Sequence, residues 1–238
     1  MSDTPTSNAN RHHASPHLGL VAIIFTGLFL AGLYPATVFG GVPHFPGPWE
    51  APDVIANFFR AKPGAVLACA FFHFGAAIVL GIFTASIVSR LQFLGVRAAG
   101  VLIALFGGLA TALDMVAEAS ILSVMTRPGV VENGSLILAL YHLQIAFGGV
   151  GFSAPLGLLF GGVSIPAALM RLLPKWVIGL GLLLFAIGEL SSLNIISSPA
   201  LFLIPLTRFP GFIWLIAAGF LIPSTAGARA KRSVVHAT

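Results

Sequence analysis

Charge is what this chain has least of. Asp, Glu, Lys and Arg make up 8% of its 238 residues, against about 25% in a soluble domain. That scarcity excludes a surface built for water. Acidic residues number seven, and three of them, Asp114, Glu118 and Glu189, fall within apolar segments. The high pI therefore reflects missing acids, not a basic face, and no interleaved basic and aromatic pattern points to nucleic acid. The single cysteine, Cys69, excludes an internal disulfide and a thiolate metal cluster. No H-E-x-x-H, G-x-S-x-G, Walker or dinucleotide fingerprint occurs.

What the chain has in abundance is apolar sequence: 57% hydrophobic residues and a mean hydropathy of +0.99. A span needs about 20 apolar residues. Six runs qualify, at about 18–39, 64–88, 98–126, 134–163, 175–197 and 200–223. The fold class expected is an all-α membrane protein, a bundle of about six transmembrane helices, with the lipid bilayer as its obligatory partner. The first run lacks a small-residue cleavage site and reads as a retained helix rather than a signal peptide. The domain plan is a disordered polar tail at 1–17, a transmembrane domain at 18–224 and a basic tail at 225–238. With both termini cytoplasmic, eight Lys and Arg lie inside and four outside, which satisfies the positive-inside rule.

Three segments are irregular. The first external loop, about 40–63, begins with Pro and Gly, then offers a short helix at 51–61 with Val54, Ile55, Phe58 and Phe59 on one side. With Trp49 beside it, this suits an interfacial helix over the bundle mouth, or equally a loop packed on the bundle. The fourth run contains "GGVGFSAPLG" around Pro155 and predicts a kinked span ending near Ser164, followed by an interfacial piece. In the sixth, "LFLIPLTRFPGFIWL", Pro205 and Pro210 bracket Arg208, and the first turns are expected to be broken or re-entrant.

Five ionisable residues, His73, Glu118, His142, Glu189 and Arg208, each sit eight or nine residues from one face, roughly 12–13 Å deep at about 1.5 Å per residue. Charge in hydrocarbon is costly unless paired or wetted, so five at one depth predict a polar chamber between helices. Asp114 shares a helix face with Glu118, four residues away, and completes the candidate substrate or proton site. Tyr141 and Gln144, flanking His142 in "LYHLQ", extend it. Glu189 and Arg208, on adjacent helices joined by a short turn, are expected to pair. His73 and His142 could face one another as carriers of a proton, as a haem axial pair or as part of a metal site; no cofactor is otherwise implied. His12, His13, His17, His44 and His236 are expected to be solvated.

The segments "MRLLPKWVIGLGLLLFAIGELS" and "FLIPLTRFPGFIWLIAAGFLIP" resemble the C-terminal parts of uncharacterised bacterial polytopic inner-membrane proteins, over roughly the last seventy residues. The resemblance implies a bacterial inner-membrane location and carries no activity or site residues. Three functions fit the residues: a proton-linked transporter of a small molecule or ion, a His-based metal or haem membrane enzyme, and a non-catalytic accessory subunit bound to membrane-complex partners.

Overall fold

The computed structural model describes residues 12–225, all helical apart from one isolated bridge between His12 and Thr225. Its elements are α1 (Leu18–Ala36), α2 (Pro52–Ala61), α3 (Pro63–Phe93), α4 (Ala99–Met125), α5 (Gly134–Ala146), α6 (Phe152–Leu169), α7 (Lys175–Leu190) and α8 (Leu203–Leu221). Six helical stretches are long and apolar enough to cross a membrane, so the chain is a multi-pass membrane protein. Each begins or ends within a few residues of the run expected for it.

The spans pack as a closed ring in chain order. α1 lies on α3, α3 on α4, α4 on α6, α6 on α7, α7 on α8, and α8 returns to α1. α6 also touches α8, and its span is the most buried of the six. Small residues set these crossings. A Cβ on Gly162 would stand 2.5 Å from Ala104 N and 2.6 Å from Gly100 O of α4, so the two backbones are in contact. Gly219 of α8 meets Gly19 of α1 in the same way, 2.8 Å from its nitrogen. Close backbone approach of this kind replaces the hydrophobic drive that lipid cannot supply.

Two interruptions depart from expectation. The fourth span runs unbroken from Gly134 to Leu169, five residues beyond Ser164. Its irregularity is a π-turn at Phe147–Gly151, N-terminal to Pro155. Pro155 and Pro166 stay inside α6. In the sixth span, the break precedes the helix as a 3-10 turn, Ser198–Phe202. Pro205 falls in the first turn of α8, where a missing N–H costs nothing, so Arg208 stands on regular helix.

α2 forms where the Pro and Gly of its loop end, with Pro52 at its first position and Asp53 in its first turn. Its Ile55, Phe58 and Phe59 are buried among Phe45, Tyr141 and Leu122, and Val54 is exposed. Arg60 ties it to the α4–α5 loop through the carbonyls of Val131 and Glu132. Lys62 donates to the carbonyls of Gly40 and Gly41.

At the opposite end the tails meet. Residues 1–11 and 226–238, including His236, lie outside the described residues. The remainder of the expected tail, 12–17, is placed. His13 N donates to Ser224 O at 2.9 Å, and its Nε2 lies 3.0 Å from Ser89 Oγ. Arg90 donates to Ser15 Oγ at 2.6 Å, and His17 caps α1 by accepting from Leu20 N. His13 is thus engaged and only partly exposed, whereas His17 stays exposed while its ring caps α1. Burial, followed by the nearby Arg90 guanidinium and His12, holds the His13 imidazole below its ordinary value of 6.5. A histidine shifted this way binds its proton less readily docked than free. The clasp is therefore at full strength above pH 6.5 and weakens as pH falls below it. Amide exchange at residues 13–15, corrected for its intrinsic rate, is expected to quicken between pH 7 and pH 5; unchanged protection would contradict this.

Candidate functional site

A cavity of about 410 Å³ opens at the end of the bundle that carries α2. Its floor is polar: Cys69 and His73 from α3, Glu118 from α4, Gln144 from α5, Gly148 from the π-turn and Arg208 from α8. Its mouth is lined by Phe45, Pro48, Trp49, Leu201 and Phe202. Another hollow, of about 450 Å³, lies between α1, α3 and α4, walled mainly by Leu28, Leu67, Phe71 and Phe74, and holds no ionisable group.

The floor is built around a buried ion pair. His73 Nδ1 lies 3.2 Å from Glu118 Oε2, and Gln144 Nε2 donates to Glu118 Oε1 at 3.0 Å. All three side chains are buried. Phe29 of α1 stacks on the His73 ring at 4.4 Å, and Gly32 makes room for it, since a Cβ there would stand 2.7 Å from His73 Cδ2. Cys69 Sγ approaches His73 Nδ1 at 3.8 Å. Stacking on Phe29 and the carboxylate at its edge fix the imidazole's orientation.

Arg208 completes the floor from the last helix. Its guanidinium donates to the carbonyl of Gly148 and lies over the Phe152 ring at 4.5 Å and the Phe29 ring at 5.3 Å. The π-turn makes this acceptor available, because its widened register releases carbonyls from the regular helical ladder. The same turn admits the carboxylates of α4. A Cβ at Gly148 would stand 3.2 Å from Glu118 Oε1, and one at Gly151 would stand 3.1 Å from Asp114 Oδ2. Arg208 is also within electrostatic reach of Glu118. Its Nε, and the Oε1 of Gln144, are buried with no hydrogen-bond partner.

Of the six residues expected to form the site, three line the cavity: His73, Glu118 and Arg208. Gln144 joins them directly, and Tyr141 acts behind it, donating to Pro46 O at 2.7 Å and so holding the mouth loop. Asp114 lies one turn from Glu118, against Gly151, and outside the cavity wall. His142 is exposed on the outside of α5, so it neither faces His73 nor joins the chamber. The haem axial pair is therefore not assembled, and among the described residues no three His, Cys, Asp or Glu side chains are arranged to hold a metal ion. Nor is a Glu189–Arg208 ion pair formed: His73–Glu118 is the sole one among the described residues. Glu189 turns onto α6, its Oε1 buried, unpartnered and 3.3 Å from a Gly157 Cβ position. Neighbouring helices need not present matched residues to each other, and α6 draws Glu189 away.

Sequence reasoning missed Phe29, Phe152, Cys69 and the Gly148 carbonyl as parts of the site. The spacing of Cys69 and His73, four apart on one helix face, was one available signal. No protein-family model, curated protein or solved structure matches this chain.

Proposed function

We propose that the chain is a six-span bacterial inner-membrane protein whose cavity admits a small solute from the outer face, a transporter in which movement of the solute is linked to a proton. The observation that carries this is the His73–Glu118 pair, buried on two different spans yet lining a cavity with an open mouth. Ionisable groups are expensive inside a membrane and mark substrate and proton paths when they line a wet space. A His–carboxylate pair can hold or release one proton without leaving its site. The π-turn beneath Arg208 adds a second feature common at functional sites.

The bias of Lys and Arg supports cytoplasmic tails and an outward-facing cavity mouth. Spans 18–224 then form one transmembrane domain. Exposed Tyr34, Phe39 and Trp49 at the α2 end and exposed Trp176 at the other fit aromatic belts at the two interfaces. α2 takes the place of an interfacial helix, its apolar side covering the bundle. The resemblance of the last seventy residues to bacterial polytopic proteins agrees with this location.

Liposomes carrying the full-length protein and an internal pH dye test the reading. Under an inward proton gradient, short carboxylates, amino acids and sugars are supplied in turn. At least one class is expected to speed acidification of the lumen. Glu118→Gln should return that rate to the protein-free value, and His142→Ala should leave it unchanged. If no class has an effect, or if Glu118→Gln retains the wild-type rate, transport is refuted and an accessory-subunit role gains.

A further inference from the structure

The cavity floor carries an uneven charge. His73 and Glu118 satisfy each other at 3.2 Å. Arg208 has no carboxylate of its own, only the Gly148 carbonyl and two aromatic faces. Its Nε is buried without a partner, as is Gln144 Oε1. Buried polar atoms in a cavity wall are ordinarily satisfied, and these two ask for opposite things: Arg208 for an acceptor, Gln144 for a donor. The remaining wall near the mouth is apolar and aromatic, with Phe45, Trp49 and Phe202.

Resting on the transport reading above, we infer that the solute is a small monocarboxylate bearing a hydroxyl donor near the carboxylate and an apolar body, and that it enters with one proton. The carboxylate pairs with the Arg208 fork, which is suited to planar anions. The donor satisfies Gln144, and the body lies against the aromatic mouth. The proton follows from charge. Once the pair has released its proton, Glu118 beside a neutral His73 carries one negative charge, which Arg208 cancels, leaving nothing to attract an anion. A proton on the His73–Glu118 pair makes the pair neutral and leaves Arg208 as one net positive charge. Proton and anion therefore favour each other's binding, and release of either weakens the other. The charged and titratable groups around His73 fit this arithmetic: Cys69 on α3 and Glu118 on α4 face it, Arg208 of α8 acts on Glu118, and Phe29 and Gly32 from α1 add none.

Binding to the full-length protein in lipid nanodiscs tests the inference, with the change in intrinsic tryptophan fluorescence, to which Trp49 at the mouth contributes, as the readout and 3-phenyllactate as the probe. Its methyl ester and the matching amine remove the anion, 3-phenylpropanoate removes the donor, and palmitate asks whether the carboxylate comes from lipid. The acid is expected to bind more than about tenfold tighter than ester or amine, and tighter than phenylpropanoate. In weakly buffered solution alkaline enough for the empty site to have released the pair's proton, it should take up about one proton per molecule bound, an uptake lost in His73→Phe. Arg208→Gln should abolish the preference for acid over ester. The ester and amine comparisons use the unaltered protein, so they hold even if a variant fails to fold. Ester or amine binding as well as the acid, or uptake of no proton, overturns the inference while leaving a solute cavity standing. Palmitate binding in place of phenyllactate overturns the soluble source. Binding of no probe, together with a Glu118→Gln protein active as wild type in liposomes, removes the transport reading with it.

Discussion

Glu118→Leu is expected to lower the stability of the bundle by about 3–5 kcal/mol, because it leaves His73 and Gln144 buried without their acceptor. Glu118 accepts from both side chains and lies within reach of Arg208. Its loss strips two donors of their acceptor and Arg208 of a nearby negative charge, in a place where water reaches only through the cavity mouth. The double variant His73→Phe with Glu118→Leu should recover most of that stability. Replacing a whole buried pair by apolar groups is often neutral, and a phenylalanine at 73 would retain stacking on Phe29. Solute-driven proton movement should stay at zero in both. Thermal unfolding in one detergent, followed by circular dichroism, measures the difference. A double variant no more stable than Glu118→Leu alone would mean that the pair is not the unit of stabilisation. A double variant that still moves protons would mean that the pair is structural and nothing more.

Gly162→Val should cost about 3 kcal/mol, the upper part of the range for forcing extra volume into a packed interior. The obstacle is main chain rather than a movable side chain, since the new Cβ meets Ala104 N at 2.5 Å and Gly100 O at 2.6 Å. α4 must retreat from α6, and Glu118 rides on α4 opposite the π-turn that leads into α6. The substitution should therefore weaken probe binding as well as thermal stability, although position 162 is remote from the cavity. Gly64→Val is the control: a Cβ there meets nothing within 4 Å. If the two variants melt alike, the helix contact does not govern the packing.

The six spans were legible because hydropathy alone determines where a chain can rest in a bilayer, and the run boundaries differ by only a few residues from the helices formed. Depth was legible too: His73, Glu118 and Arg208 do meet. Azimuth was not. His142 shares their depth but faces outward, because the face a residue occupies depends on how its helix is rotated against neighbours. A hydropathy run with almost no amphipathic bias says nothing of that rotation. Glu189 failed for the same reason, turning onto α6 instead of toward Arg208. The π-turn was hidden because "FGGVG" is compatible with a regular helix. Only packing against α4 and α8 selects the wider register that frees Gly148 O.

The ring order of the spans has a consequence for biogenesis. The wall that supplies Arg208 belongs to the last helix, and that helix closes on the first through the Gly19–Gly219 contact. A nascent chain leaves the ribosome N-terminus first, so His73 and Glu118 enter the bilayer before their third partner exists. Until α8 arrives, that flank stands open to lipid, and the cation that defines the chamber is absent. The site is completed in one terminal step, and a chain that stops before residue 203 leaves an unclosed crescent with no pocket to fill.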